Sequence, residues 1–422
     1  MRLGTASLLG LLFPVSAFPA RAFAAPQNGD TVADSWTIHA ERVYTSTGDI
    51  LQNAVVRVSD GRIAALRPGR SAPKDAVRAV AVTAGMIDLS PRLHAGFASV
   101  EQSREIQPHL AVTPSVDLWD RRWEPLARSG VTTVLVSPMD RNVIGGQAVA
   151  VKTAGPEELA TRLVESRGVV RGAIGTEPSS GNHPAFGRPT DFYARRPTTR
   201  MGVEWEWRKA YFDAVAALRL PEREFPGAAD LRATLAGEKL LMIQAWATQD
   251  IRTAVYLKEE MAREGFGEIE LVIDAAAEAW KEPDLLVRTG TTVVLPPHTA
   301  GGRTRDSAFL AWDSAKRLTD LGITVCLSAH GNTSPSGSLG RQAGHAMRGG
   351  LRLEQALEAV TLAPARLLGI DDRVGSVAEG LDADLVLWSG TPFEATSRVV
   401  GVLVDGELVL DPRTATNDDD EQ

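Results

Sequence analysis

The stretch Ala356-Leu357-Glu358-Ala359-Val360-Thr361-Leu362-Ala363-Pro364-Ala365-Arg366-Leu367-Leu368-Gly369, followed by Gly375-Ser376-Val377-Ala378-Glu379-Gly380-Leu381-Asp382-Ala383-Asp384-Leu385-Val386-Leu387-Trp388, decides the fold. Its first part lies in a segment, 353–368, that reads as terminal helices, and its second part ends in a strand, 383–388. A further strand run, 399–409, carries a turn at Asp405-Gly406. Near the other end, Ala54-Val55-Val56-Arg57-Val58 and Arg62-Ile63-Ala64-Ala65-Leu66 flank Asp60-Gly61 and predict a hairpin. Such hairpins are not stable alone. The two chain ends are therefore expected to share one β-domain, residues 36–83 plus 371–412, with residues 84–370 inserted between them.

The inserted middle alternates short apolar runs with helix-length amphipathic segments, the pattern of a parallel β/α architecture. Strands are predicted at 85–88, 131–137, 169–174, 240–244, 270–274, 292–295 and 323–328, with an eighth around 149–152. Helices are predicted over 118–128, 203–218, 251–263 and 313–321. The fold class is thus α/β: a (β/α)8 TIM-type barrel inserted in a small β-sandwich domain formed by both chain ends.

At 422 residues and 44% hydrophobic content, the chain can fill such a core. A formal net charge of -8 without a basic cluster speaks against nucleic acid as a partner. Arg2, an apolar run over 8–18 and the small-x-small triplet Ala22-Phe23-Ala24 read as a signal peptide, residues 1–24, ahead of a polar linker. The expected location is periplasmic or secreted, with no membrane anchor after cleavage. Residues 413–422, ending in Asp418-Asp419-Asp420-Glu421-Gln422, read as an acidic disordered tail. The single cysteine, Cys326, has no intramolecular disulfide partner and is expected to be an inert buried thiol.

The tail segment quoted above resembles the C-terminal signature of the amidohydrolase superfamily. Gly130-Val131-Thr132-Thr133-Val134, Asn142-Val143-Ile144-Gly145-Gly146-Gln147 and Thr199-Arg200-Met201-Gly202 resemble its exported, imidazolonepropionase-like branch. So does Ala84-Gly85-Met86-Ile87-Asp88-Leu89-Ser90-Pro91-Arg92-Leu93-His94-Ala95-Gly96, where the family carries a His-x-His metal pair after Gly-Leu-Ile-Asp. The resemblance implies metal ligands at the ends of strands one, five, six and eight. At strand one the two positions hold Ser90 and Arg92, or Arg92 and His94 if two residues are inserted. The fifth-strand position falls at Gln244-Ala245-Trp246, the sixth-strand histidine at Ala275 after Asp274, and the eighth-strand aspartate at Ala329 beside His330. A catalytic zinc needs about three protein ligands and an open position. The expected set is degenerate, so no cofactor is expected.

Ser90, Arg92, His94, Gln244, Trp246, Asp274, His298 and His330 are the candidate pocket residues, with His330 and Asp274 the candidate catalytic groups. Arg92 offers a fork for a carboxylate, Trp246 an aromatic face and Gln244 paired donors and acceptors. An Arg92–Asp274 ion pair filling the ancestral metal position is the equally open structural alternative. Two functions compete. One is an exported pseudoenzyme without metal that binds a small ligand or pairs with an active homologue as a homo- or hetero-oligomer. The other is an active amidohydrolase cleaving C–N bonds, non-peptide or dipeptide-like, with zinc in a rebuilt site around His94, His298, His330 and Asp274.

Overall fold

In the computed structural model, residues 35–413 are described, apart from 70, 72, 94–98, 102, 181–196 and 299–307. The predicted signal peptide lies outside the described residues, as do His94 and, beyond Arg413, the acidic tail.

The N-terminal β-rich runs form β1 (Trp36–Tyr44), β2 (Ile50–Ser59), β3 (Arg62–Arg67) and β4 (Val77–Ala84). The barrel follows with β5 (Met86–Asp88), β6 (Val131–Val136), β7 (Ile144–Lys152), β8 (Leu163–Ala173), β9 (Leu240–Gln244), β10 (Leu271–Asp274), β11 (Thr292–Leu295) and β12 (Val325–Leu327). The chain then returns through β13 (Leu385–Trp388), β14 (Val399–Val404) and β15 (Glu407–Leu410). One seven-stranded sheet takes strands from both ends in the order β15-β14-β13-β4-β1-β2-β3, and the junction is the antiparallel pair β13–β4. Both Asp-Gly turns have positive φ at both residues, 53° and 74° at Asp60-Gly61 and 47° and 79° at Asp405-Gly406. That geometry matches the right-handed twist of a hairpin, which is why these dipeptides pin the register.

The second sheet runs β5 to β12 in sequence order. Most neighbours are parallel, and their helices cover the outside: Thr248–Arg263 after β9, Pro283–Thr289 after β10 and Ser314–Asp320 after β11. Thr199 caps the helix Arg200–Ala216, its hydroxyl accepting from the Gly202 backbone N–H at 3.1 Å. The eighth strand differs from expectation. β7 is longer than residues 149–152 and pairs antiparallel with both β6 and β8. Seven residues separate β6 from β7. That is too short for a helical crossover, so the strand must return as a hairpin. The predicted terminal helices are Leu353–Val360 and Leu362–Leu368, divided at Thr361.

Because side chains alternate along a strand, residues two apart share a face. Val169, Leu240, Met242, Val272, Val294 and Cys326 belong to one buried apolar cluster inside the sheet. Two residues further along their strands, on the same face, stand Arg171, Gln244, Asp274 and Ser328. The barrel thus has an apolar floor and a polar layer above it at the C-terminal strand ends, where barrel sites form. Cys326 is buried in that floor, and burial raises its pKa, in keeping with an inert thiol.

No backbone ladder joins β12 to β5; the seam is closed by Asp88. Its carboxylate accepts from Ser328 Oγ at 2.7 Å, the Ser90 N–H at 2.9 Å and the Ala329 N–H at 3.1 Å. A second buried polar knot ties the barrel to the outer sheet. Lys152, at the end of β7, lies 2.9 Å from Asp384, 2.8 Å from Asp405 and 3.3 Å from Asp382.

Candidate functional site

The polar layer is organised around Arg171, which sequence reasoning did not single out. Its guanidinium is 3% exposed and forks onto Asp140, with Nε 2.9 Å from Oδ1 and Nη2 3.2 Å from Oδ2. Nη2 also donates to Oδ2 of Asp274, a fully buried carboxylate. The same Asp274 oxygen accepts from Ser90 Oγ at 2.9 Å, and Gln244 Nε2 donates to Asp140 at 2.8 Å. Asp140 reaches the site because it lies in the β6–β7 hairpin connection. Gly172 lets the wall pack beside Arg171, since a Cβ there would fall 2.3 Å from the Val143 carbonyl oxygen and 2.4 Å from the Trp207 ring.

Of the two open alternatives for Arg92, the ion pair with Asp274 is not the one formed. The partner of Asp274 is Arg171, whose strand position two residues above Val169 points it into the barrel. Arg92 instead sits with its guanidinium carbon 5.8 Å from the Trp246 ring centroid. The His330 ring meets Trp246 edge to face at 5.7 Å. Three non-glycine residues just beyond the C-terminal ends of barrel strands have positive φ: Arg92 at 52°, Ala275 at 53° and His330 at 50°. Such conformations are uncommon for side chains of this kind and concentrate at functional sites. Gly331, at φ 73°, completes the turn after β12, where a Cβ would fall 2.2 Å from the Pro91 carbonyl oxygen. The turn after β12 therefore packs directly on the turn after β5.

Electrostatics follow from burial and neighbours. Burial opposes charge on Arg171, but the Asp140 and Asp274 carboxylates outweigh it and raise its pKa. Burial works against an ionised Asp274 as well, yet Arg171, with His330 and Arg92 behind it, holds its carboxyl below the ordinary range. Burial, then the charge of Arg92, pushes His330 down to about 3, which keeps its imidazole neutral near pH 7. Burial raises the pKa of Asp88 despite its three donors.

The structure therefore brings together Ser90, Arg92, Gln244, Trp246, Asp274 and His330. It places His298 elsewhere, stacked on Trp312 at 4.5 Å and 6.0 Å from His345, where burial lowers its pKa to about 4. Glu177 lies 3.6 Å from Arg141. Among the described residues, no group of three or more His, Cys, Asp or Glu side chains is placed to share a metal ion. The two fully buried strand-end carboxylates are both engaged: one oxygen of Asp274 serves a guanidinium and a hydroxyl, and Asp88 serves the three donors of the seam. Arg171 and Asp140 carried one sequence signal, polar side chains two residues beyond an apolar strand position or in the connection that follows a strand.

Residues 267–409 match the model of the amidohydrolase family. The amidohydrolase tasK of Hapsidospora irregularis is 25% identical over 408 residues, covering 86% of this chain. This chain spans only 40% of that relative's length. Among solved structures, an amidohydrolase from Thermotoga maritima MSB8 superposes with a TM-score of 0.74 at 24% identity, covering 87% of this chain and 98% of that one. A prolidase complexed with N-methylphosphonate-L-proline superposes with a TM-score of 0.53 at 14% identity, over 89% of this chain and 100% of the other. At these identities the two structures bear on the fold.

Proposed function

From the premise that this chain belongs to the amidohydrolase superfamily, we propose that it is an exported pseudoenzyme that binds a small ligand at the barrel mouth without a metal ion. The carrying observation is the buried Arg171–Asp274 pair in the polar layer. A guanidinium stays charged at any accessible pH, and its fixed positive charge disfavours a divalent cation beside it. Without such a cation, nothing in the site lowers the pKa of a water molecule to make hydroxide available near pH 7. The residues that remain, an aromatic wall at Trp246, the amide of Gln244 and the partly buried Arg92, suit binding. Export rests on the signal-like residues 1–24, and pairing with an active homologue is a further role open to such a protein.

The test is metal analysis of protein purified from its native host, combined with hydrolysis assays on amide and dipeptide substrates before and after chelation. The expected result is metal well below one equivalent per chain and no chelator-sensitive turnover. One zinc per chain together with activity abolished by chelation would overturn the reading. N-terminal sequencing of the exported protein should find a chain beginning after Ala24.

One observation favours a second reading, a working C–N hydrolase with a rebuilt site. His330 stands at a strand end beside Asp274 with a buried Nε2 that has no partner among the described residues, the placement a proton-transferring group needs. Under that reading His330→Ala removes turnover, and unchanged turnover disposes of it.

A further inference from the structure

Five buried polar atoms at the barrel mouth have no hydrogen-bond partner among the described residues. They are Nε and Nη2 of Arg92, Nη1 of Arg171, Nε2 of His330 and Oδ1 of Asp274. Their side chains lie close enough to act on one another's charge, Arg92, Arg171 and His330 all bearing on Asp274. Buried polar atoms are normally paired, and a group left bare marks a place where something binds. Three of the five define its chemistry. Nε and Nη2 form one edge of the Arg92 guanidinium, the fork that receives a carboxylate through two parallel hydrogen bonds. Asp274 Oδ1 can only accept while the carboxyl is ionised, so its missing partner is a donor.

Charge balance narrows the ligand further. Two guanidiniums, Arg92 and Arg171, stand with two carboxylates, Asp140 and Asp274, while the Asp88 carboxylate is occupied by its three seam donors. The charges of those two guanidiniums and two carboxylates cancel. A ligand of either net charge would leave an uncompensated charge in a buried site, whereas one carrying both charges would not. We propose that the barrel mouth binds a zwitterion of the α-amino acid class, its carboxylate on the Arg92 fork, its ammonium donating to Asp274 Oδ1, and its side chain along Trp246. This rests on the reading of the mouth as a metal-free ligand site. Ordered water is the competing occupant of the same atoms.

The experiment is thermal denaturation of the full chain with an equimolar mixture of the common L-α-amino acids, compared with matched mixtures of their N-acetyl and C-terminal amide derivatives. Free amino acids should raise the melting temperature, and the concentration needed should be at least about tenfold higher for either derivative, since each lacks one charged hydrogen bond. Arg92→Gln should abolish the stabilisation, and Arg92→Lys, which keeps the charge and loses the fork, should weaken it by about tenfold. No stabilisation of the wild-type protein, or equal stabilisation by free and capped mixtures, overturns the proposal and leaves water as the occupant. If neither variant folds, the comparison of free with capped amino acids on the wild-type protein decides alone. Metal-free protein that ignores amino acids refutes only this inference, whereas stoichiometric zinc with chelator-sensitive turnover refutes the pseudoenzyme reading.

Discussion

Replacing Arg171 by Met tests whether the guanidinium organises the polar layer. The substitution keeps much of the side-chain volume and strands two carboxylates, Asp274 at 0% exposure and Asp140 at 10%. Breaking a buried pair by removing one partner costs about 3–5 kcal/mol. With an unfolding entropy of about 2.1 cal/mol/K per residue over 422 residues, that cost lowers the melting temperature by roughly 3–6 °C. The pH dependence is more telling. In the wild-type protein the folded pKa of Asp274 is depressed, so its contribution is present above its unfolded pKa and is lost as pH falls through the folded value. Without Arg171, burial raises the folded pKa, and the penalty on the ionised form disappears as pH falls toward and below the unfolded pKa, about 3.9. Calorimetric melting at pH 7 and pH 4 should therefore show a gap between wild type and Arg171→Met that narrows in acid. A gap below about 1 °C at pH 7, or one that does not change with pH, would refute the argument, whose magnitude comes from desolvated charge.

Three other outcomes follow from the same contacts. Asp88→Ala should destabilise the fold by about 3 kcal/mol or more, because three seam donors lose their acceptor, and urea denaturation should show the lower midpoint. Lys152→Met leaves Asp382, Asp384 and Asp405 facing one another across the barrel and the outer sheet, at a cost of about 3–5 kcal/mol by denaturant titration at pH 7. The folded pKa of Lys152 is raised, so its contribution is complete below its unfolded pKa of about 10.4 and is lost only as pH rises through the folded value. His330 binds its proton less well folded than unfolded, with a folded value of about 3 against about 6.5. Wild-type stability should thus fall as pH drops from about 6.5 toward the folded value, and His330→Gln should remove part of that slope; identical slopes would count against a buried neutral imidazole.

The fold was largely legible because its signals are local. The strands at 240–244 and 292–295 were located to the residue, and both Asp-Gly turns sit where the dipeptides predicted hairpins. The direction of β7 was not legible from its own composition. It follows from the shortness of the connection after β6, whose consequence appears only once both strands are fixed. The candidate site was half legible. Ser90, Arg92, Gln244, Trp246, Asp274 and His330 converge because each stands at or just beyond a strand end, a position the strand pattern supplies. Arg171 was overlooked because it lies inside a strand among apolar residues, where only knowledge of which face points into the barrel gives it a role. His298 stood at a comparable strand end, yet Trp312 and His345 hold it away from the polar layer.

By itself the sequence determined the α/β barrel and the joining of both chain ends in one sheet, since periodicity and turn chemistry are properties of neighbours in the chain. Only the tertiary structure decided how the charged residues of the barrel mouth pair. Asp274 can pair with either Arg92 or Arg171 as far as composition is concerned, and the choice rests on the barrel's geometry. Strand pairing places Arg171 beside Asp274 and Asp140, while the left-handed turn at Arg92 sends its guanidinium toward Trp246 and leaves its fork without a partner among the described residues.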